Sequence, residues 1–237
     1  MSDKHPVVEC RGLAVGYDRA VPLYRGLDLE LRRGEVVSLL GVNGSGKSTL
    51  IKTLCGFMAP AGGEVVIEGR PMSCYSRAEL AQTIGVVLTD RAVDGGLTVY
   101  DTVALGRYQY TDFFGRLSEN DRAVIDGALE EVGIASKRNS YLARMSDGER
   151  QKVFIAKALA QDCPVIVLDE PTAFLDVRAK IGTMRLLADI ARNSGRAILL
   201  STHDLSLAVR FSDRLWVLDP ESGMVCGSVD EVVGSGG

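Results

Sequence analysis

Apolar residues in the first 40 positions fall at strand spacing. Val7-Val8-Glu9-Cys10 comes first, then Leu27-Asp28-Leu29-Glu30-Leu31 with period-two alternation, then the run Glu35 to Leu40, with turn residues between them. Val65-Val66-Ile67 and Thr83 to Leu88 predict two further strands. From about Leu97 to Asp162 the spacing becomes helical, as in Asp121 to Val132, and a helix is predicted from about Glu149 to Gln161. Two wholly apolar runs follow, Val165 to Leu168 and Ala197 to Ser201, which read as buried parallel strands. This order predicts a single α/β unit over residues 1–237. About 1–90 and 164–237 form a β flank and core, and about 91–163 form a helical insert. No internal repeat interrupts it.

The strand ending at Leu40 runs straight into Gly41-Val42-Asn43-Gly44-Ser45-Gly46-Lys47-Ser48-Thr49, a full match to the phosphate-binding pattern G-x-x-x-x-G-K-[ST] between a strand and a helix. Glycines at 41, 44 and 46 let successive backbone N–H groups turn inward around two phosphates. Lys47 offers an ammonium to the β- and γ-phosphates and Ser48 a hydroxyl to Mg²⁺. The following helix is predicted to open at Lys47 and stop at Gly56. The chain is therefore expected to bind a nucleoside triphosphate through Gly41, Asn43, Gly44, Ser45, Gly46, Lys47, Ser48 and Thr49. Val165 to Leu168 ends in Asp169-Glu170, two acids delivered at the C-terminal edge of a buried strand. Asp169 is placed to hold Mg²⁺ through a water, and Glu170 to polarise the attacking water.

Composition narrows the partners. The 237 residues are 46% hydrophobic, enough for one full core. Lys+Arg at 27 against Asp+Glu at 31 gives a net charge of −4, which argues against a nucleic-acid surface and leaves ATP to a local field. The five cysteines, Cys10, Cys55, Cys74, Cys163 and Cys226, are scattered, with no Cys-x-x-Cys pair, the pattern of a reducing compartment. No apolar run approaches the roughly 18 to 20 residues that span a bilayer, so any membrane role is expected to come from partners.

Downstream, Met145-Ser146-Asp147-Gly148-Glu149-Arg150-Gln151, Ala173-Phe174-Leu175-Asp176 and Thr202-His203-Asp204 complete a set whose order and spacing resemble the nucleotide-binding subunit of an ATP-binding cassette (ABC) transporter. The likeness covers nearly the whole chain. It implies a P-loop NTPase fold: a RecA-like core with a mostly parallel sheet, a small antiparallel β subdomain and an inserted helical subdomain. It further implies that Glu170 is the catalytic carboxylate, His203 the switch, Asp176 the D-loop acid, and Tyr17 an aromatic that stacks on adenine. Ser146, Asp147, Gly148 and Glu149 would form the signature that completes the ATP site of a second copy, giving a head-to-tail dimer. Ser146 and Glu149 also have capping-box spacing, and a capped helix N-terminus suits a γ-phosphate.

Within that family, Thr98 to Arg107 and Ser118 to Asp121 resemble the ATPases of bacterial importers for iron chelates, haem and cobalamin, where this region faces the permease. That likeness implies a peripheral motor on the cytoplasmic face of the inner membrane, working with permease subunits and, indirectly, an external binding protein. Three positions depart from the family pattern. Thr89 stands where a metal-side glutamine is expected, and its shorter side chain favours a bridging water over direct contact with Mg²⁺. Asp90 beside it offers compensation. Asp147 and Glu149 replace a signature glycine and glutamine, and these extra carboxylates oppose an incoming phosphate unless they point away or pair with Arg150 or Lys152. They leave room for two other readings, a slowly hydrolysing nucleotide-gated subunit and a cassette ATPase outside transport.

Overall fold

The computed structural model describes residues 6–88, 96–111, 114–219 and 223–234. In chain order, β1 (Pro6–Val15), β2 (Tyr24–Arg32) and β3 (Val36–Leu40) lead through the phosphate loop into α1 (Lys47–Leu54). Then come β4 (Gly62–Ile67), β5 (Arg70–Pro71), α2 (Arg77–Thr83) and β6 (Ile84–Val87). The helical part holds α3 (Val99–Ala104), α4 (Glu119–Glu131) and α5 (Asp147–Ala160), joined by 3₁₀ turns at Leu105–Tyr110, Ala135–Lys137 and Leu142–Arg144. The core resumes with β7 (Val165–Leu168), α6 (Val177–Ser194), β8 (Ala197–Thr202), α7 (Leu205–Phe211), β9 (Arg214–Asp219), β10 (Gly223–Ser228) and α8 (Val229–Gly234).

Two sheets form. One is antiparallel, in the order β2-β1-β4-β5; the other runs β10-β9-β3-β8-β7-β6 and is parallel except for its β9–β10 hairpin. The central strands are buried on both faces, which is why they read as continuous apolar runs. Ile166, Leu168, Ile198 and Leu200 point into a core shared with α3, α4, α5 and α6. Their neighbours Val165, Val167, Ala197 and Leu199 point the other way, into a core shared with α1 and the antiparallel sheet. Strict alternation along each strand thus glues the helical insert to one face and the β flank to the other.

Several boundaries move from the sequence expectation. The helix at Lys47 ends at Leu54, with Gly56 beyond it at φ 73°, the left-handed position that closes a helix. The predicted strand Thr83 to Leu88 shortens to Ile84–Val87, because Thr83 closes α2, donating its hydroxyl to the Glu79 carbonyl at 2.7 Å. The helix expected from about Glu149 starts at Asp147 and ends at Ala160, since Ser146 is its cap.

Candidate nucleotide site

The site lies at the C-terminal ends of three adjacent strands, where parallel sheets place their ligands. β3 pairs with β8 (Leu40 beside Thr202) and β8 with β7 (Leu200 beside Leu168), so the phosphate loop, His203 and the Asp169-Glu170 pair come together although they are far apart in the chain.

The loop's glycines are there for stated reasons. Gly44 and Gly46 have φ of 82° and 94°, open only to glycine at low cost. A Cβ on Gly41 would stand 2.4 Å from Ser45 Oγ and 2.9 Å from the Leu218 carbonyl oxygen. Ser45 Oγ is buried with no hydrogen-bond partner, so the loop keeps an unspent polar atom facing its own interior. Tyr24, unremarked in the sequence, donates its hydroxyl to the Ser45 carbonyl at 2.7 Å and pins the loop to β2. Burial, with a smaller push from the Asp219 charge, raises the pKa of that phenol, so it stays a donor.

Lys47 is 6% exposed and donates to the Gly41 and Val42 carbonyls at 2.7 and 3.1 Å, curling back across the loop. Its ammonium also lies 3.9 Å from Glu170 Oε1. Ser48 Oγ donates to Asp169 Oδ2 at 3.1 Å, bringing two hard oxygen donors together. Ser201, missed in the sequence, joins the acids: its hydroxyl donates to Asp169 Oδ1 at 2.6 Å and accepts the Glu170 N–H at 2.8 Å. The signal available was its place at the end of an apolar strand. Glu170 has φ 47°, a left-handed kink that turns its carboxylate off the strand line. His203 Nδ1 is 3.6 Å from Glu170 Oε2. Strain at the residue between lysine and histidine is where functional geometry concentrates.

Of the remaining expected residues, Ser146, Gly148, Glu149 and Asp176 line one groove together, and Asp147 shares a pocket with Asp169 and Glu170. Asn43 and Thr49 belong to the loop and its helix, Thr49 buried in α1. Tyr17 is 79% exposed in the loop after β1, where a Cβ on Gly16 would come within 2.7 Å of Pro22 Cα. Asp176 caps α6, accepting the Ala179 N–H at 2.8 Å. Ser146 caps α5, with Gly148 in its first turn. Asp147 pairs with Arg150 at 3.4 Å, one of the outcomes the sequence left open, whereas Glu149 pairs with Lys137 and not with Arg150 or Lys152. Thr89 and Asp90 lie outside the described residues.

The chemistry fits a nucleotide–cation pair. Ser48 Oγ and Asp169 Oδ2, 3.1 Å apart, are oxygen donors of the kind Mg²⁺ takes alongside phosphate oxygens. Cys55 is pushed up to about 12 by burial and, less, by the Asp169 charge, and remains protonated.

Residues 24–173 match the family model described as ABC transporter. The chain belongs to the ABC transporter family. An ABC transporter ATP-binding protein of Methanocaldococcus jannaschii is 39% identical, over 96% of this chain and 78% of its own length. The iron(3+)-hydroxamate import ATP-binding protein of Bacillus subtilis is 35% identical over 93% of this chain and 82% of its own. A dimeric bacterial ABC transporter cassette superposes with a TM-score of 0.77 at 25% identity, covering 94% of this chain and 98% of that one. The chain is an ATP-binding cassette of the ATPase type, with the P-loop core and antiparallel flank that the sequence implied.

Proposed function

We propose that the cassette is the ATP-hydrolysing motor of an importer for iron chelates, haem or cobalamin. The observation that carries its chemistry is the unbroken line Ser48–Asp169–Ser201–Glu170–His203, with Lys47 within 3.9 Å of Glu170. In this reading the loop amides and Lys47 bind and orient the phosphates, exchanging loop carbonyls for phosphate oxygens. Ser48, and Asp169 through a water, would hold Mg²⁺, which would supply charge neutralisation for the transferring phosphoryl group. Glu170 accepts a hydrogen bond from the attacking water and draws its proton, and His203 holds the Glu170 carboxylate in place. Ser146 and Gly148 act on the ATP of a second copy, so the working form is a head-to-tail dimer, a reading supported by the likeness to a dimeric cassette.

The import reading draws on the relative named for hydroxamate import and on the subgroup resemblance of Thr98 to Arg107. Among the described residues no helix is long and apolar enough to cross a membrane, so membrane-spanning work falls to permease subunits. A groove between the end of α1 and α2, lined by Phe57, Leu80 and Leu88 and reaching Gln161, supports a permease dock on the cytoplasmic face. Tyr110 and Gln109, which follow α3, donate to the Gln161 carbonyl and place the Thr98 to Arg107 segment beside that groove. An external binding protein would set the cargo.

Uptake of labelled ferric hydroxamate, haem and cobalamin in a strain lacking this chain tests the reading. Loss of one uptake, restored by the parent and not by Glu170→Gln, is expected. Undiminished uptake of all three would overturn it.

A further inference from the structure

The two acidic departures in the signature do not have equivalent surroundings. Asp147 is matched within its own helix, by Arg150 one turn on, and that guanidinium also donates to the Met145 carbonyl at 3.0 Å. Glu149 is matched from outside. Its Oε1 meets the Lys137 ammonium, while its Oε2 accepts both the Ser146 N–H at 3.0 Å and the Ser146 hydroxyl at 2.9 Å. The Lys137 contact, followed by those from Ser146, holds the Glu149 carboxyl down at about 2.

Lys137 is carried on a firm support. Its N–H donates to the Ile134 carbonyl at 2.9 Å and its carbonyl accepts the Ser140 N–H at 2.8 Å. The adjacent Arg138 pairs with Asp126 of α4 at 3.1 Å and lies 4.7 Å over the Tyr100 ring of α3. Lys137 thus sits on a turn that its neighbour ties to α3 and α4, and its ammonium meets the first turn of α5.

A glutamate at this position creates two problems for a phosphate arriving at the N-terminus of α5. Its charge repels the phosphate, and its oxygen takes the hydroxyl proton that Ser146 would otherwise donate. A cation on the far carboxylate oxygen relieves both, since it neutralises the charge and weakens the pull on the Ser146 proton. We propose that Lys137 is a positioning residue for nucleotide-driven pairing: it holds and neutralises Glu149, so that Ser146 and the first amides of α5 can receive the ATP of the second copy. This rests on the head-to-tail reading above.

The pair is largely solvated, with side chains 45% and 31% exposed, so it adds little to folding and its loss should leave the melting temperature nearly unmoved. The test uses the full chain carrying Glu170→Gln, with ATP titrated and molar mass read by light scattering. Lys137→Ala should raise the ATP concentration at half-dimerisation about three- to tenfold, a shift that shrinks at high salt. Lys137→Arg should restore the parent value. In a Glu149→Gln background, Lys137→Ala should shift it less than about twofold, because the charge it answers is gone. With Glu170 intact, the change should fall mainly on KM for ATP. Equal shifts in both backgrounds, or none in either, would overturn the role of Lys137. A Glu170→Gln protein that stays monomeric at every ATP concentration would overturn the head-to-tail reading itself, and the inference with it.

Discussion

At the scale of single residues, the site is a set of short exchanges centred on two acids. Lys47→Ala removes the cationic side chain supplied by the phosphate loop, and calorimetry should find ATP binding lost or weakened by several orders of magnitude; unchanged affinity would remove the loop from the site. Glu170→Gln should bind ATP as the parent does and lose turnover, since an amide can hold a water without drawing its proton. The Glu149 carboxyl makes a separate prediction. Its pKa is lowered from 4.5 to about 2, so the small contribution it makes to stability is complete above the ordinary carboxylate range and is lost as pH falls towards about 2. A carbon-13 titration of the side chain should show it still ionised at pH 3.5, and a midpoint near 4.5 would dissolve the Lys137 contact. The loop glycines, Lys47, Asp169 and Glu170 were legible because each motif is contiguous and its chemistry dictates the spacing. Ser201, Tyr24 and Lys137 were not, because each acts across strands or helices and nothing local marks a hydroxyl or an ammonium for a partner many residues away.

Elements were legible in proportion to how much of their pattern is local. The central strands matched because burial on both faces writes an unbroken apolar run. The helix starts were misplaced by a residue or two at α5 and missed at α2, although α2, α3, α4 and α5 all begin with the same reciprocal cap: Ser76 with Glu79, Thr98 with Asp101, Ser118 with Asp121, Ser146 with Glu149. Serine three residues before an acid is common outside helices, and tertiary packing decides which instances count. The segment after α3 is fixed by a buried pair that no spacing announces. Arg107 Nε donates to Asp121 Oδ1 at 2.8 Å, a second nitrogen reaches the Ala160 carbonyl at 3.0 Å, and the guanidinium stacks 3.8 Å from the Tyr110 ring. One side chain thus ties the turn after α3 to the start of α4 and the end of α5. Arg107→Ala would leave the Asp121 carboxylate buried without its cation, and urea unfolding should show a loss of about 3 to 5 kcal/mol. A loss below about 1 kcal/mol would mean the pair is effectively solvated.

For the whole molecule, the two faces of one parallel sheet divide the labour. One face carries the antiparallel flank and α1 with the phosphate loop, and the other carries α3, α4 and α5, the last opening at Ser146 to Glu149. In the head-to-tail reading proposed above, a second copy turned about brings its Ser146 and Gly148 to each phosphate loop. On that reading binding and pairing are linked, so whatever drives two copies together must also tighten ATP. The most direct test is the molar mass of the Glu170→Gln protein by light scattering, with and without ATP and Mg²⁺. A mass that doubles when ATP is added, and stays that of one chain when Lys47→Ala is also present, is the expected result. The same mass in all conditions would contradict the shared-site account.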